Sequence, residues 1–259
     1  MSVVVVSARA TQLRPVSTVW PRDDAGEAVK EREAPSAAEA IAETLRRQVV
    51  DEFADGDHIG SAEDLCDRFQ VSGPTVRQAM RILEAEGLIR VRRGNNGGFF
   101  AGTPSVDVVS RSASALLRRQ GADLADLVTA SQLIGPEVAR LAASNPDPAA
   151  RRRLLELVEE EWGDDVEVSV PVATQIAVKF GRLMGELSGS PSLALITGVL
   201  SDLVINLMAQ TIKEFDPEVL AGFVPLIRDG HRRLARAVDE GDVAAARAAQ
   251  GEMNLIVEF

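Results

Sequence analysis

The feature that most constrains the fold is a change of hydrophobic period within residues 71–101. Val76, Ala79, Met80 and Leu83 recur at spacings of three and four, which predicts one buried face of a helix. A glycine is placed to end that helix, and the LIRVRR that follows alternates with a period of two. GNNGG then predicts a turn and FFAG a returning strand. We therefore expect a helix followed by a two-stranded hairpin.

Two further helical patterns precede this segment. The first begins at Ser36 and keeps apolar residues at helical spacing until the turn residues of ADGDHIG. Ser61 is placed to cap the second, which carries Leu65, Cys66 and Phe69. Cys66 is best read as a small core residue. Three helices followed by a hairpin with arginines at its tip predict a winged helix-turn-helix.

The charge of the chain is unevenly distributed. Its formal net charge is −11, yet residues 71–103 carry five arginines and only two glutamates, a local charge of +3. Residues 37–70 and 104–259 carry net charges of −6 and −8. A helix fits the major groove of duplex DNA, and arginines on its outer face would meet phosphates or base edges. The partner indicated is double-stranded DNA, against the alternative that these arginines form an ordinary solvated surface.

The expected DNA contacts come from the starts of two helices, the outer face of the basic helix and the hairpin tip. Hydroxyls at a helix start can bind phosphate with help from the helix dipole. The predicted contacts are Ser61, Ser72, Thr75, Arg77, Gln78, Arg81, Arg92, Arg93, Asn95, Asn96 and Gly97.

The stretch VSGPTVRQAMRILEAEGLIRVRRGNNGGFF resembles the GntR family of bacterial transcription regulators, and GDHIGSAEDLCDRF extends the likeness upstream. The chain departs from the family pattern at three positions. Gly73 stands where arginine is usual, Gln78 where glutamate is usual, and Glu63 where a positive DNA-contacting residue is common. We expect these departures to weaken phosphate binding or to change the operator that is preferred.

The remainder of the chain predicts a bundle of helices. Helical patterns fall at about 111–120, 122–144, 148–161, 170–188, 191–213, 216–239 and 243–258, with turn residues between them. With the resemblance, this suggests the FadR-type subgroup and its all-helical FCD effector domain. The fold expected is mostly α, with a mobile tail at 1–37, a winged helix-turn-helix at 38–103, a linker at 104–111, and a helical effector-binding and dimerisation domain at 112–259.

The resemblance also implies where a metal would bind in the second domain. Many FadR-type proteins hold a divalent ion there with one aspartate and three histidines. Ala177 stands at the aspartate position, Gly181 and Met253 stand at two histidine positions, and His231 is the remaining histidine. A single imidazole makes a poor site, so we predict no bound metal. His231 could bind an effector or be a satisfied buried histidine.

The effector pocket is expected between the helices of this domain. Ser131 and Gly135 occupy positions where the family often has arginine and glutamate, so the pocket lacks groups that hold small carboxylates. We therefore expect an apolar effector or no effector. The residues expected to line the pocket are Ser131, Ala177, Phe180, Gly181, Met184, His231 and Met253.

The predicted function is that of a ligand-responsive, DNA-binding transcription regulator that acts in the cytoplasm as a homodimer. Repression is favoured over activation. We expect it to need no cofactor and to bind no membrane. The alternative is a degenerate relative whose helical bundle binds a ligand or a protein. An enzyme is disfavoured because the chain has two histidines, one cysteine and no tyrosine. Acid–base catalysis would fall to carboxylates such as Glu156, Glu159 and Glu160, and EEEWGDD is interpreted as a solvated helix end and loop.

Overall fold

The computed structural model describes residues 34–94, 97–163, 168–211 and 217–256. They form two compact units that divide after Val108. The mostly α fold predicted from the sequence is confirmed. The elements in the described ranges are α1 (Ala37–Glu52), β1 (His58–Gly60), α2 (Ala62–Phe69), α3 (Gly73–Ala85), β2 (Ile89–Arg92), β3 (Gly98–Ala101), α4 (Val106–Gln120), α5 (Leu124–Ala143), α6 (Pro148–Trp162), α7 (Val170–Leu187), α8 (Pro191–Thr211), α9 (Pro217–Glu240) and α10 (Val243–Ile256).

The first unit, the winged unit, packs α1, α2 and α3 around one apolar core. Leu45 from α1, Leu65 from α2 and Leu83 from α3 are at most 1% exposed. The sheet contributes Ile89 and Phe99 to the same cluster. The core is therefore shared by all three helices and the wing, which fixes the outer face of α3.

The sheet of the winged unit has three strands in the order β1-β3-β2, all antiparallel. The two-stranded hairpin expected from the sequence is present as β2 and β3, with Arg92 opposite Gly98. The sequence did not predict the third strand, β1, in which His58 pairs with Phe100. Its three residues form a strand because of that distant pairing, since alone they carry only turn signals.

The expected linker at 104–111 is helical from Val106, where α4 begins. Ser110 lies in this segment and is 4% exposed. Its hydroxyl donates to Oδ2 of Asp202 at 2.7 Å. This buried hydrogen bond gives the segment a tertiary partner, so it is ordered as helix. Of the expected tail, residues 1–33 lie outside the described part, and Ser36 caps α1.

The second unit, the helical unit, packs α5, α6, α7, α9 and α10 around a separate core. Its centre includes Leu154, Trp162, Ile176, Leu234 and Val238, each at most 1% exposed. The helices follow the segments predicted from the sequence. Helical spacing of apolar residues therefore located α5 to α10 to within a few residues.

Helix α8 packs closely against α7 at two glycines one turn apart. A Cβ at Gly181 would stand 2.6 Å from Oγ of Ser201, and one at Gly185 would stand 2.9 Å from Cα of Ala194. By length and composition, Pro191–Met208 is the one stretch in the described part that is apolar enough to cross a membrane. Within the helical unit this helix packs against α7 and α5.

Candidate functional site

The recognition face of α3 is set by the burial of its opposite side. Val76 and Leu83 are fully buried in the core of the winged unit. Arg77, Gln78 and Arg81 are exposed, as predicted from the helical period. In the part of the chain that the structure describes, neither arginine pairs with a carboxylate. Their charges therefore remain available to an anionic partner.

The start of α3 carries two hydroxyls that do not cap the helix. Ser72 is the N-cap residue, but its side chain makes no capping hydrogen bond. Its Oγ lies 3.0 Å from Oγ1 of Thr75 instead. Pro74 occupies the first turn, where its missing N–H removes no helical hydrogen bond. The first turn thus presents hydroxyls toward solvent.

The start of α2 is organised differently. Oγ of Ser61 accepts from the N–H of Asp64 at 3.1 Å, and Oδ2 of Asp64 accepts from the N–H of Ser61 at 2.8 Å. The pKa of the Asp64 carboxyl is lowered, chiefly by this backbone hydrogen bond. Glu63 is exposed in the same first turn. Acids at this position interact favourably with the helix dipole, so Glu63 has a local role in α2 that needs no DNA contact.

Two arginines of the winged unit are occupied by the protein's own carboxylates. Nη2 of Arg90 donates to Oδ1 of Asp55 at 2.5 Å, and that oxygen also accepts from the N–H of Thr103 at 2.9 Å. These bonds, that from Arg90 first, lower the pKa of Asp55. Nε and Nη2 of Arg46 form a two-point pair with Glu86 at 2.8 and 2.7 Å, which raises the pKa of Arg46. Of the five arginines in the basic segment, Arg90 is therefore the one that pairs with a carboxylate among the described residues.

The wing supplies two further cations. Arg92 and Arg93 are exposed, and the guanidinium of Arg92 lies over the ring of Phe100 at 4.3 Å from its centroid. A Cβ at Gly97 would stand 2.6 Å from the carbonyl oxygen of Arg92, so only glycine fits this turn. The remaining predicted wing residues, Asn95 and Asn96, lie outside the described residues. The predicted cations of α3 and the wing are thus exposed within one unit.

The centre of the helical unit is filled by an aromatic cluster of Trp162, Phe180 and His231. The indole N–H of Trp162 donates to Nδ1 of His231 at 3.1 Å. The imidazole stacks on Phe180, with ring centroids 4.1 Å apart and planes inclined by 13°. All three side chains are at most 3% exposed. Burial lowers the pKa of His231 to about 3, which keeps the ring neutral.

Other residues expected in the effector pocket have partners of their own. Met184 is 4% exposed and lies in the same apolar core. Met253 packs against Gly230, where an added Cβ would stand 2.7 Å from its Cγ. Oγ of Ser131 donates to the carbonyl of Leu127 in its own helix at 2.9 Å. Of the residues predicted to line the pocket, the structure therefore stacks Phe180 on His231, whereas Ser131 is satisfied locally and Ala177 is half-buried.

A small cavity lies elsewhere in the helical unit, between α4, α5 and α8. Its volume of about 20 Å³ is comparable to the space needed by one water molecule. None of the seven expected pocket residues lines it. Its walls are Ser114, Leu117, Arg118, Ala122, Leu127, Leu203, Asn206 and Leu207.

Comparison with known proteins identifies both parts of the chain. A family model described as "Bacterial regulatory proteins, gntR family" matches residues 37–100. A second, described as "FCD domain", matches residues 126–253. The chain belongs to the GntR family. Its helical unit carries the FCD effector domain that the resemblance implied.

Individual relatives of this GntR-family chain are also named as HTH-type transcriptional regulators or repressors. It is 26% identical to the HTH-type transcriptional regulator LutR of Bacillus subtilis over 76% of this chain and 88% of LutR. It is 24% identical to the HTH-type transcriptional repressor NanR of an Enterobacter species over 64% of this chain and 63% of NanR. Among solved structures, a GntR protein of Streptococcus agalactiae matches with a TM-score of 0.62 at 20% identity, covering 85% of this chain and 98% of that one. That structure supports the fold.

These findings make the chain a GntR-type transcriptional regulator with an FCD effector-binding domain. DNA is therefore its macromolecular partner and a small molecule its expected effector. The alternative, a binding module without DNA recognition, receives no support. The family consists of transcriptional regulators, and the three glutamates considered for acid–base catalysis, Glu156, Glu159 and Glu160, are exposed on α6.

The residues at the expected metal position do not fit a metal ion. In the neutral ring, Nδ1 of His231 accepts the Trp162 hydrogen bond, which places the proton on Nε2 and leaves no free lone pair. Ala177, Gly181 and Met253 offer no carboxylate or imidazole. Within the described ranges, no three histidine, cysteine, aspartate or glutamate side chains group closely enough to hold an ion.

Sequence reasoning missed the partners that complete this interior. Trp162 follows Leu154, Leu155 and Val158 at helical spacing, so its burial could have been predicted from the pattern. Its hydrogen bond to His231, 69 positions away, could not. A second polar contact joins α4, α7 and α8, where Asp202 accepts from Ser110 and from Nη2 of Arg182, the latter at 2.6 Å.

Proposed function

We propose that this regulator binds a near-palindromic operator as a homodimer and acts as a repressor in the cytoplasm. Each protomer would place the first turns of α3 in a major groove and the wing beside it. The observation that carries the proposal is the exposure of Arg77 and Arg81 on one face of α3, without an intramolecular ion pair in the described residues. The contacts proposed are Ser61, Ser72, Thr75, Arg77, Gln78, Arg81, Arg92, Arg93 and Gly97, with Asn95 and Asn96 of the wing turn.

Charge supports this assignment of the DNA-binding face. The helical domain, with a net charge of −8, is repelled by nucleic acid, whereas the basic segment is attracted to it. Two copies on a two-fold symmetric site double the number of phosphate contacts. Dimerisation therefore offsets the low number of cations on each winged unit.

The operator can be found by in vitro selection from random double-stranded DNA with the full-length chain. Fluorescence anisotropy then gives the dissociation constant at several salt concentrations. Arg77→Ala should weaken binding, and the slope of log K against log salt should fall by about 0.9 per lost phosphate contact, or about 1.8 per dimer. Arg90→Ala is the matched control, because Arg90 is paired with Asp55; its slope should stay at the wild-type value. An unchanged slope for Arg77→Ala would contradict the proposed interface.

The effector domain is proposed to work without a metal and to take an apolar effector or none. The support is the aromatic cluster of Trp162, Phe180 and His231, which fills the interior where ion ligands would be needed. Native mass spectrometry of the purified protein should show no retained divalent ion, and added zinc should not raise its melting temperature. Tight binding of citrate or gluconate in a calorimetric titration would contradict the apolar effector.

A further inference from the structure

Gly73, the first residue of α3, lies beneath the guanidinium of Arg77. A Cβ at residue 73 would stand 3.1 Å from Nη1 of Arg77 and 3.8 Å from its Cζ. Residues four apart share a helix face, and long side chains on a helix point back toward its N-terminus. Arg77 therefore folds over the first turn, in space that exists because residue 73 has no side chain.

The backbone does not explain why glycine occupies this position. Gly73 is not among the residues with a positive φ, so any residue could adopt its conformation. Glycine is a poorer helix former than alanine. What glycine supplies here is room for Arg77.

The charges around Arg77 also direct it toward the start of the helix. Arg81 lies one turn farther along the same face, and like charges at this spacing repel each other. Leaning toward Gly73 moves the Arg77 guanidinium away from Arg81. It also places a positive charge beside the positive end of the helix dipole, which is unfavourable until an anion is present. The hydroxyls of Ser72 and Thr75 lie in the same turn.

We propose that Gly73 is a positioning residue that determines DNA sequence preference through Arg77. The empty position at residue 73 fixes where the guanidinium lies, and so which base edge or phosphate it meets. A side chain at residue 73 displaces the guanidinium along α3 and changes the preferred base. This inference rests on the proposed DNA interface.

The test is a double-mutant cycle with Gly73→Ala, Arg77→Ala and the double variant in the full-length chain. In vitro selection gives the preferred operator of each protein, and anisotropy gives its affinity for the wild-type operator. Gly73→Ala should weaken that affinity about fivefold or more, the lower end of the effect of one specific base contact, and should change the preferred base at one position of each half-site. In the Arg77→Ala background the same substitution should change affinity less than about twofold.

Two measurements separate this effect from a change in folding. Gly222→Ala in α9 is the matched control, because a Cβ there meets nothing within 4 Å and the residue lies in the other unit; its operator affinity should equal that of wild type. Thermal unfolding should show that Gly73→Ala is no less stable than wild type, since alanine favours helix.

The outcomes distinguish this inference from the proposed interface. If Arg77→Ala weakens binding but Gly73→Ala leaves affinity and base preference unchanged, the positioning role is refuted and the interface stands. An equal effect of Gly73→Ala with and without Arg77 refutes it as well. If Arg77→Ala binds as tightly as wild type at every salt concentration, both proposals fail.

Discussion

The buried histidine of the helical unit makes stability depend on pH in a way that can be calculated. His231 is 2% exposed, and burial lowers its pKa from 6.5 to about 3. In the unfolded chain it takes up a proton near pH 6.5, whereas the folded protein excludes that proton until near pH 3. The contribution to stability is therefore complete above pH 6.5 and is lost progressively as the pH falls.

The loss amounts to about 1.4 kcal/mol for each pH unit below 6.5. At pH 5 it reaches about 2 kcal/mol. Because the folded protein carries no proton on His231 at that pH, the loss is set by the pKa in the unfolded chain. Carboxylates with a lowered pKa, such as Asp55 and Asp64, act mainly at lower pH, since their ordinary value is 3.8. The window between pH 7.5 and pH 5 thus isolates the histidine.

The measurement is urea unfolding followed by the fluorescence of Trp162, in a Trp20→Phe background that leaves Trp162 as the only tryptophan. His231→Gln removes the titrating group and keeps an acceptor for the indole N–H. The fall in unfolding free energy between pH 7.5 and pH 5 should be smaller in this variant by about 2 kcal/mol.

His58→Gln is the control, because His58 is the other histidine of the chain and lies in the winged unit. It should keep the pH dependence that His231 causes. Equal pH dependence in His231→Gln and the parent protein would refute the assignment of His231 as a buried neutral group.

Two further predictions concern helix starts and the contact between α4, α7 and α8. Ser61→Ala should destabilise the winged unit by about 1 kcal/mol, because it removes a capping hydrogen bond. Ser72→Ala should destabilise it by only a few tenths of a kcal/mol, because that side chain caps nothing. Hydrogen exchange of the winged unit checks both, and equal losses of stability would contradict the reasoning. Asp202→Ala should destabilise the helical unit by about 2 kcal/mol, because it leaves the half-buried Arg182 without this partner. Urea unfolding checks it, and an Asp202→Asn variant as stable as wild type would count against the charge pairing.

Much of the winged unit could be predicted from local sequence. The buried face of α3 follows from the spacing of Val76 and Leu83, and the exposure of Arg77 and Arg81 follows from the same period. β1 could not be predicted, because three residues become a strand only by pairing with β3. The pairing of Arg90 with Asp55 was also outside the reach of the pattern, since the two residues lie 35 positions apart.

The helical unit shows the same division. The segments of the bundle follow from periodicity and turn residues, and the absence of three of the four metal ligands was visible from the aligned motif. The start of α4 was not visible, because the Ser-rich segment is ordered by a buried bond from Ser110 to Asp202. The hydrogen bond from Trp162 to His231 was not visible either.

By itself, the sequence determined the order of the helices, the family and the basic character of one helix and hairpin, because these depend on the spacing and type of neighbouring residues. Only the tertiary structure decided which arginines stay free, what fills the interior around His231, and that Arg77 lies over Gly73. Each of these depends on distances between side-chain atoms, and such distances are fixed when the elements pack.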